Sequence, residues 1–144
     1  MPLAHAAWVH AAALEVEYPE RVESQARMGF ACHVRGRAGT DNWIHFAIPT
    51  PVIVQDRRLK AGSVMLRFKS SDGALVHAVH IYDGERRIAA HDGLSVQPSS
   101  WSAERYSVPG SPEVQWGLGI SVGVRFPAAG GQLDFSSAGC DFLS

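Results

Sequence analysis

Three Asp-Gly steps, Asp72-Gly73, Asp83-Gly84 and Asp92-Gly93, punctuate the middle of this chain at short intervals, and they constrain its fold more than any other feature. Each pair tolerates the positive φ of a tight turn. The residues between them alternate with the period of a strand: Val64, Leu66 and Phe68 before the first step, Val76 to Tyr82 in the second interval, Arg87 to His91 in the third. Together they read as an antiparallel meander.

The same period recurs elsewhere. Ile120, Val122, Val124 and Phe126 point one way while Gly119, Ser121, Gly123 and Arg125 point the other, a half-buried strand whose second face is unusually small. Leu14-Val16-Tyr18 and Leu133-Phe135 add strands near the two ends. Helix signals are confined to Pro19 to Met28, where Pro19 could open a turn and Gly29 close it, and a loop there is equally compatible. Roughly eight to ten short strands joined by Gly/Pro-rich connections specify an all-β fold, an antiparallel β-sandwich of the jelly-roll sort, with a closed barrel as the alternative. At 144 residues, without repeats or a linker-like composition shift, residues 1–144 are expected to form one domain.

The segment Asn42 to Pro51 places a polar aromatic face beside a hard stop. Ile44, Phe46 and Ile48 fall on one face, which reads as core, and Trp43, His45 and Ala47 on the other. Pro49 and Pro51 remove two ladder donors, so the strand cannot continue through Pro-Thr-Pro.

Composition narrows the function classes. A formal charge of −1 with no Lys/Arg run argues against nucleic-acid partners and polybasic membrane binding. No apolar run approaches the ~20 residues of a spanning helix, and the stretch Met1 to Leu14 lacks the basic leading segment of a secretory signal, so a cytoplasmic location is expected. Cys32 and Cys140 have neither metal-ligand nor redox spacing and read as buried thiols.

Seven histidines invite a metal reading, but no closely spaced ligand pair is visible. His77 and His80 would face opposite ways in a regular strand, so they could share an ion only across a bulge. Neither a metal nor any other cofactor is expected. His45 shares its face with Trp43, and His80 shares a face with Tyr82 on a strand that could lie beside it. These four could line a pocket in which either histidine acts as acid or base; equally, the imidazoles could be hydrogen-bonded residues at the edge of the core. Asp83, placed before Gly84, reads as a turn residue. No nucleophile elbow, phosphate-cradling loop or Ca²⁺ loop is present. The small face of Gly119, Ser121 and Gly123 is either a close-packing surface or the floor of a groove. With a tryptophan such as Trp43, Trp8, Trp101 or Trp116 beside it, the groove would suit flat sugar rings.

Trp8-Val9-His10, the Asn42 to Pro51 block, His80-Ile81-Tyr82-Asp83-Gly84, the Gly117 to Phe126 strand and Ala138-Gly139-Cys140-Asp141-Phe142 form a specific set. On these elements the chain resembles an uncharacterised family of small bacterial all-β domains over nearly its whole length. The resemblance implies a shared fold and a shared site around Trp8, His10, Trp43, His45 and His80, without naming a substrate.

The leading expectation is therefore a protein that binds a small organic molecule in a pocket of Trp43, His45, His80 and Tyr82, extended by Trp8 and His10. Two rivals use the same residues differently. One is an isomerase, cyclase or lyase with His45 or His80 as acid or base; the other is a homo-oligomeric module that self-associates through a sheet face or edge strand.

Overall fold

A computed structural model, describing residues 2–144, arranges thirteen strands in order: β1 (Leu3–His10), β2 (Glu15–Val16), β3 (Val22–Arg27), β4 (Cys32–Gly36), β5 (Thr40–Ala47), β6 (Ile53–Val54), β7 (Arg57–Arg58), β8 (Lys60–Ser71), β9 (Leu75–Asp83), β10 (Arg86–His91), β11 (Ser102–Ser107), β12 (Leu118–Phe126) and β13 (Gln132–Leu143). All pairings are antiparallel. One sheet runs β11-β8-β13-β4-β3, with β1 pairing the later half of β13; the second runs β10-β9-β12-β5-β2; β6 and β7 form a small separate ribbon. The two large sheets pack face to face as the expected β-sandwich.

The alternations account for the core. Val64, Leu66 and Phe68 on β8, Leu133 and Phe135 on β13, and Ile120, Val122, Val124 and Phe126 on β12 are all buried in one hydrophobic cluster with Ile44, Phe46 and Ile48. Phe46 of the second sheet meets Phe135 of the first edge to face at 5.8 Å, and Phe135 stacks on Phe68 at 5.6 Å. Aromatic pairs in these offset geometries add to the area they bury. Two strands, β8 and β13, are twelve residues long rather than short, and their pairing absorbs one extra residue on each, Ser136 on β13 and Gly62 on β8.

Two local expectations fail. The segment after Pro19 forms only a single 3-10 turn, Pro19–Arg21, before β3. From Glu23 to Arg27 the segment is wholly exposed, so a helix there would have no apolar face to bury, whereas pairing with β4 satisfies its backbone. The meander is also partial. Gly73, Gly84 and Gly93 all have positive φ, but only the Asp83-Gly84 turn joins paired strands, β9 and β10. Asp72-Gly73 instead carries the chain from the first sheet to the second. No helix among the described residues is long and apolar enough to cross a membrane.

Candidate functional site

The outer face of the second sheet is built on β12. Its outward residues are Gly119, Ser121 and Gly123, in register with Ala47, His45 and Trp43 of β5 on one side. On the other side Gly119 faces Tyr82 and Ser121 faces His80 of β9. A strip with almost no side chains thus runs between two rows of larger polar and aromatic groups. The strip is sterically required near its end: a Cβ added to Gly123 would lie 2.8 Å from His77 Cε1 and 3.1 Å from Trp43 Cζ3.

His77 reaches this face through a bulge. Pairing passes from Gly123↔Ala78 to Val124↔Val76, leaving His77 as the extra residue on β9. In a regular strand His77 and His80 would face opposite ways; the bulge is the exception, and its one extra residue inverts the alternation and brings both to the same face. Both imidazoles lie against Trp43, with ring centroids 5.0 Å away for His80 and 6.1 Å for His77. Burial holds the His77 imidazole below its ordinary pKa, with the Arg125 charge adding to the effect.

His45 is held from both sides. Its Nε2 lies 2.8 Å from Glu17 Oε1, its Nδ1 2.9 Å from Ser121 Oγ. A carboxylate only accepts, so Nε2 carries a proton, and in the neutral ring Nδ1 accepts the Ser121 hydroxyl. The His45 hydrogen bond lowers the Glu17 carboxyl pKa, outweighing the small cost of its burial. Across the strip, His80 Nε2 donates to Asp92 Oδ1 at 2.8 Å, which lowers the Asp92 carboxyl in the same way. Ser121, His45 and Glu17 form a hydroxyl-imidazole-carboxylate chain, but β12 is paired on both sides. The amides around Ser121 are committed to ladders, so no backbone N–H pair is free to hold an oxyanion.

These groups enclose a cavity of about 290 Å³ lined by Glu17, Trp43, His45, His80, Tyr82, Arg87 and Ser121. Next to it is a second of about 390 Å³, sharing His45, Tyr82 and Ser121 in its lining and reaching Gly119, Gly117 and Gly84. Of the six residues singled out in the sequence, the structure brings Trp43, His45, His80 and Tyr82 together here. Trp8 and His10 lie on the other sheet: Trp8 covers Gly139 with the Arg105 guanidinium 5.9 Å from its ring, and His10 Nδ1 accepts the Ala12 N–H at 3.0 Å. Glu17, Arg87, His77 and Asp92 escaped the sequence reading because their places depend on strand order and on bulges. No group of three or more His, Cys, Asp or Glu side chains among the described residues is arranged to hold a metal ion.

A family model described as a family of unknown function, DUF6623, matches residues 1–138. No curated protein matches the sequence. Among solved structures, the chain is similar to a low-affinity xylan binding module, CBM86, from Roseburia intestinalis, with 15% identity, a TM-score of 0.55 and 97% of each chain covered. It is also similar to a CBM29-2 mutant in complex with cellulohexaose (10% identity, TM-score 0.54, covering 96% of this chain and 92% of the other). A third is the CBM36-1 domain of a multidomain xylanase from the hindgut metagenome of Trinervitermes trinervoides (10% identity, TM-score 0.53, 94% and 96% covered). At these identities the likeness is one of fold, the β-sandwich of carbohydrate-binding modules.

Proposed function

The chain belongs to the DUF6623 family, whose function is unknown, and from the geometry of its groove we propose that it binds carbohydrate on the outer face of the β10-β9-β12-β5-β2 sheet. The observation that carries this reading is the strip Gly119-Ser121-Gly123 between Trp43 and His45 on one side and His80 and Tyr82 on the other. A sugar ring has a flat C–H face and a rim of hydroxyls. Trp43 and Tyr82 offer aromatic surface to the first, and Ser121, Glu17, His80 and Arg87 offer donors and acceptors to the second, with His45 holding Glu17 and Ser121 in place.

Because Glu17, Ser121 and Asp92 already hold the two imidazoles, the polar groups are oriented before a ligand arrives, which lowers the ordering cost of binding. The xylan-binding and cellulohexaose-bound neighbours support the ligand class. The rival acid/base chemistry, that of an isomerase, cyclase or lyase, has the His45 chain in its favour, whereas the neighbours of like fold favour binding.

Affinity electrophoresis through gels containing soluble xylan or a soluble cellulose derivative tests the reading. The protein should be retarded by at least one polysaccharide, and Trp43→Ala should abolish the retardation while leaving the fold intact by circular dichroism. Equal mobility of wild type and variant across a broad polysaccharide panel would remove the carbohydrate reading.

A further inference from the structure

The groove does not end at the Trp43 pocket. From Gly123 on β12 to Gly117, which precedes the strand, the chain takes six residue steps, a run of roughly 20 Å at the rise of an extended strand. The far half is floored by Gly119, Gly117 and Gly84, none of which carries a side chain to fill it. Beside that end stands Trp116, 77% exposed, its side chain packed on Gly84 so closely that a Cβ there would lie 3.1 Å from Trp116 Cβ and Cδ1.

An exposed tryptophan on a loop would ordinarily be mobile, but this loop is clamped. Asp83, 4% exposed, accepts the Gln115 and Trp116 N–H groups at 2.8 Å and the Gly117 N–H at 3.1 Å. Gly84 N–H bonds Gly117 O at 2.9 Å. From the other side Thr50, between the two prolines that stop β5, accepts the Leu118 N–H through Oγ1 at 2.9 Å and donates to Ile48 O at 2.6 Å. A buried carboxylate spent on three loop amides fixes the backbone that carries the indole, although that indole buries little itself.

Resting on the carbohydrate reading, we infer that Trp116 is a second aromatic platform of the same groove, so that the ligand is an internal stretch of a linear oligosaccharide lying along β12 from Trp43 to Trp116. A disaccharide reaches one platform; a longer chain engages both. Asp83 is then a positioning residue for Trp116, which gives the Asp-Gly step a role beyond its turn.

Fluorescence titration with xylo- and cello-oligosaccharides of two and six units tests this on wild type, Trp116→Ala and Trp116→Phe. The six-unit sugar of the preferred series should bind wild type about ten-fold tighter than the two-unit sugar, the scale of one good aromatic contact. Trp116→Ala should erase that advantage without changing two-unit affinity, and Trp116→Phe should keep most of it. Equal affinity for both lengths in wild type, or a Trp116→Ala variant that keeps the advantage, overturns the second platform while leaving the Trp43 site standing. A Trp116→Ala change that shifts the mass by size-exclusion chromatography with light scattering assigns the indole to self-association and overturns it too. Binding of neither length of either series sinks the carbohydrate reading itself.

Discussion

Trp43 lies across Gly123: the two are cross-strand partners on β5 and β12, and the indole Cζ3 occupies the space that a side chain at 123 would need. The aromatic wall of the groove therefore depends on a residue that contributes no atoms to it. Gly123 is also the point at which β9 bulges and delivers His77 to the same indole.

Gly123→Ala should displace both rings, since the new methyl would fall well inside contact distance of His77 and Trp43. Near-ultraviolet circular dichroism should report the indole's movement, and polysaccharide retardation should fall as far as with Trp43→Ala. The melting temperature should drop only slightly, because the rings that must move are half-buried on the outer face of the sheet and not in the core between the sheets. Unchanged binding in Gly123→Ala would mean that the strip is packing surface rather than groove floor.

His45 and Phe46 are neighbours with opposite roles, and paired substitutions separate them. His45 bonds Glu17 and Ser121 on a half-exposed face, so His45→Ala should cost under about 1 kcal/mol. Phe46 is 1% exposed between the sheets, and Phe46→Ala should cost about 3–5 kcal/mol and lower the melting temperature by roughly ten degrees. His45→Ala should also weaken polysaccharide binding. If thermal melts show the two equally damaging, His45 is a structural residue and the site loses its centre.

Asp83 links stability to pH. Burial alone would raise its carboxyl pKa, but the amides of Gln115, Trp116 and Gly117 outweigh it and hold the group below its ordinary value. A depressed folded pKa contributes stability above the unfolded value, near ~3.9, and that contribution is lost as pH falls through the folded value. Asp83→Asn should cost ~1–3 kcal/mol at neutral pH and flatten the decline in stability on the acid side. Urea unfolding at a series of pH values measures both.

Cys140, like Tyr106, makes folding less favourable as the solution turns alkaline. Burial pushes its thiol pKa up to about 12, helped by Asp141. A raised folded pKa contributes stability that is complete below the unfolded value, near ~8.5, and lost as pH rises through the folded one. Native protein at neutral pH should therefore leave both Cys140 and the equally buried Cys32 unreactive toward a disulfide reagent until it unfolds in denaturant. Rapid stoichiometric labelling of the native protein would contradict this.

Period-two alternation was enough to read the sandwich, the inward faces of β5, β8 and β12, and the pairing of Trp43 with His45, because the side-chain period of a strand is a local property of its backbone. The Asp-Gly steps were equally legible as positive-φ turns. Which strands those turns join was not, since a turn sets local direction but not the sheet into which the next strand docks. Only the tertiary structure placed β12 between β5 and β9, which sets His45 and His80 on either side of Ser121 and sends Trp8 and His10 to the opposite sheet. It alone settled where the extra residue lies that turns His77 toward Trp43, since the adjacent apolar pair Ala78-Val79 breaks the alternation without saying which face each histidine takes. Asp83 shows the same division: its turn could be read from two adjacent letters, whereas its hold on Trp116 depends on a loop more than thirty residues away that long-range packing brings alongside.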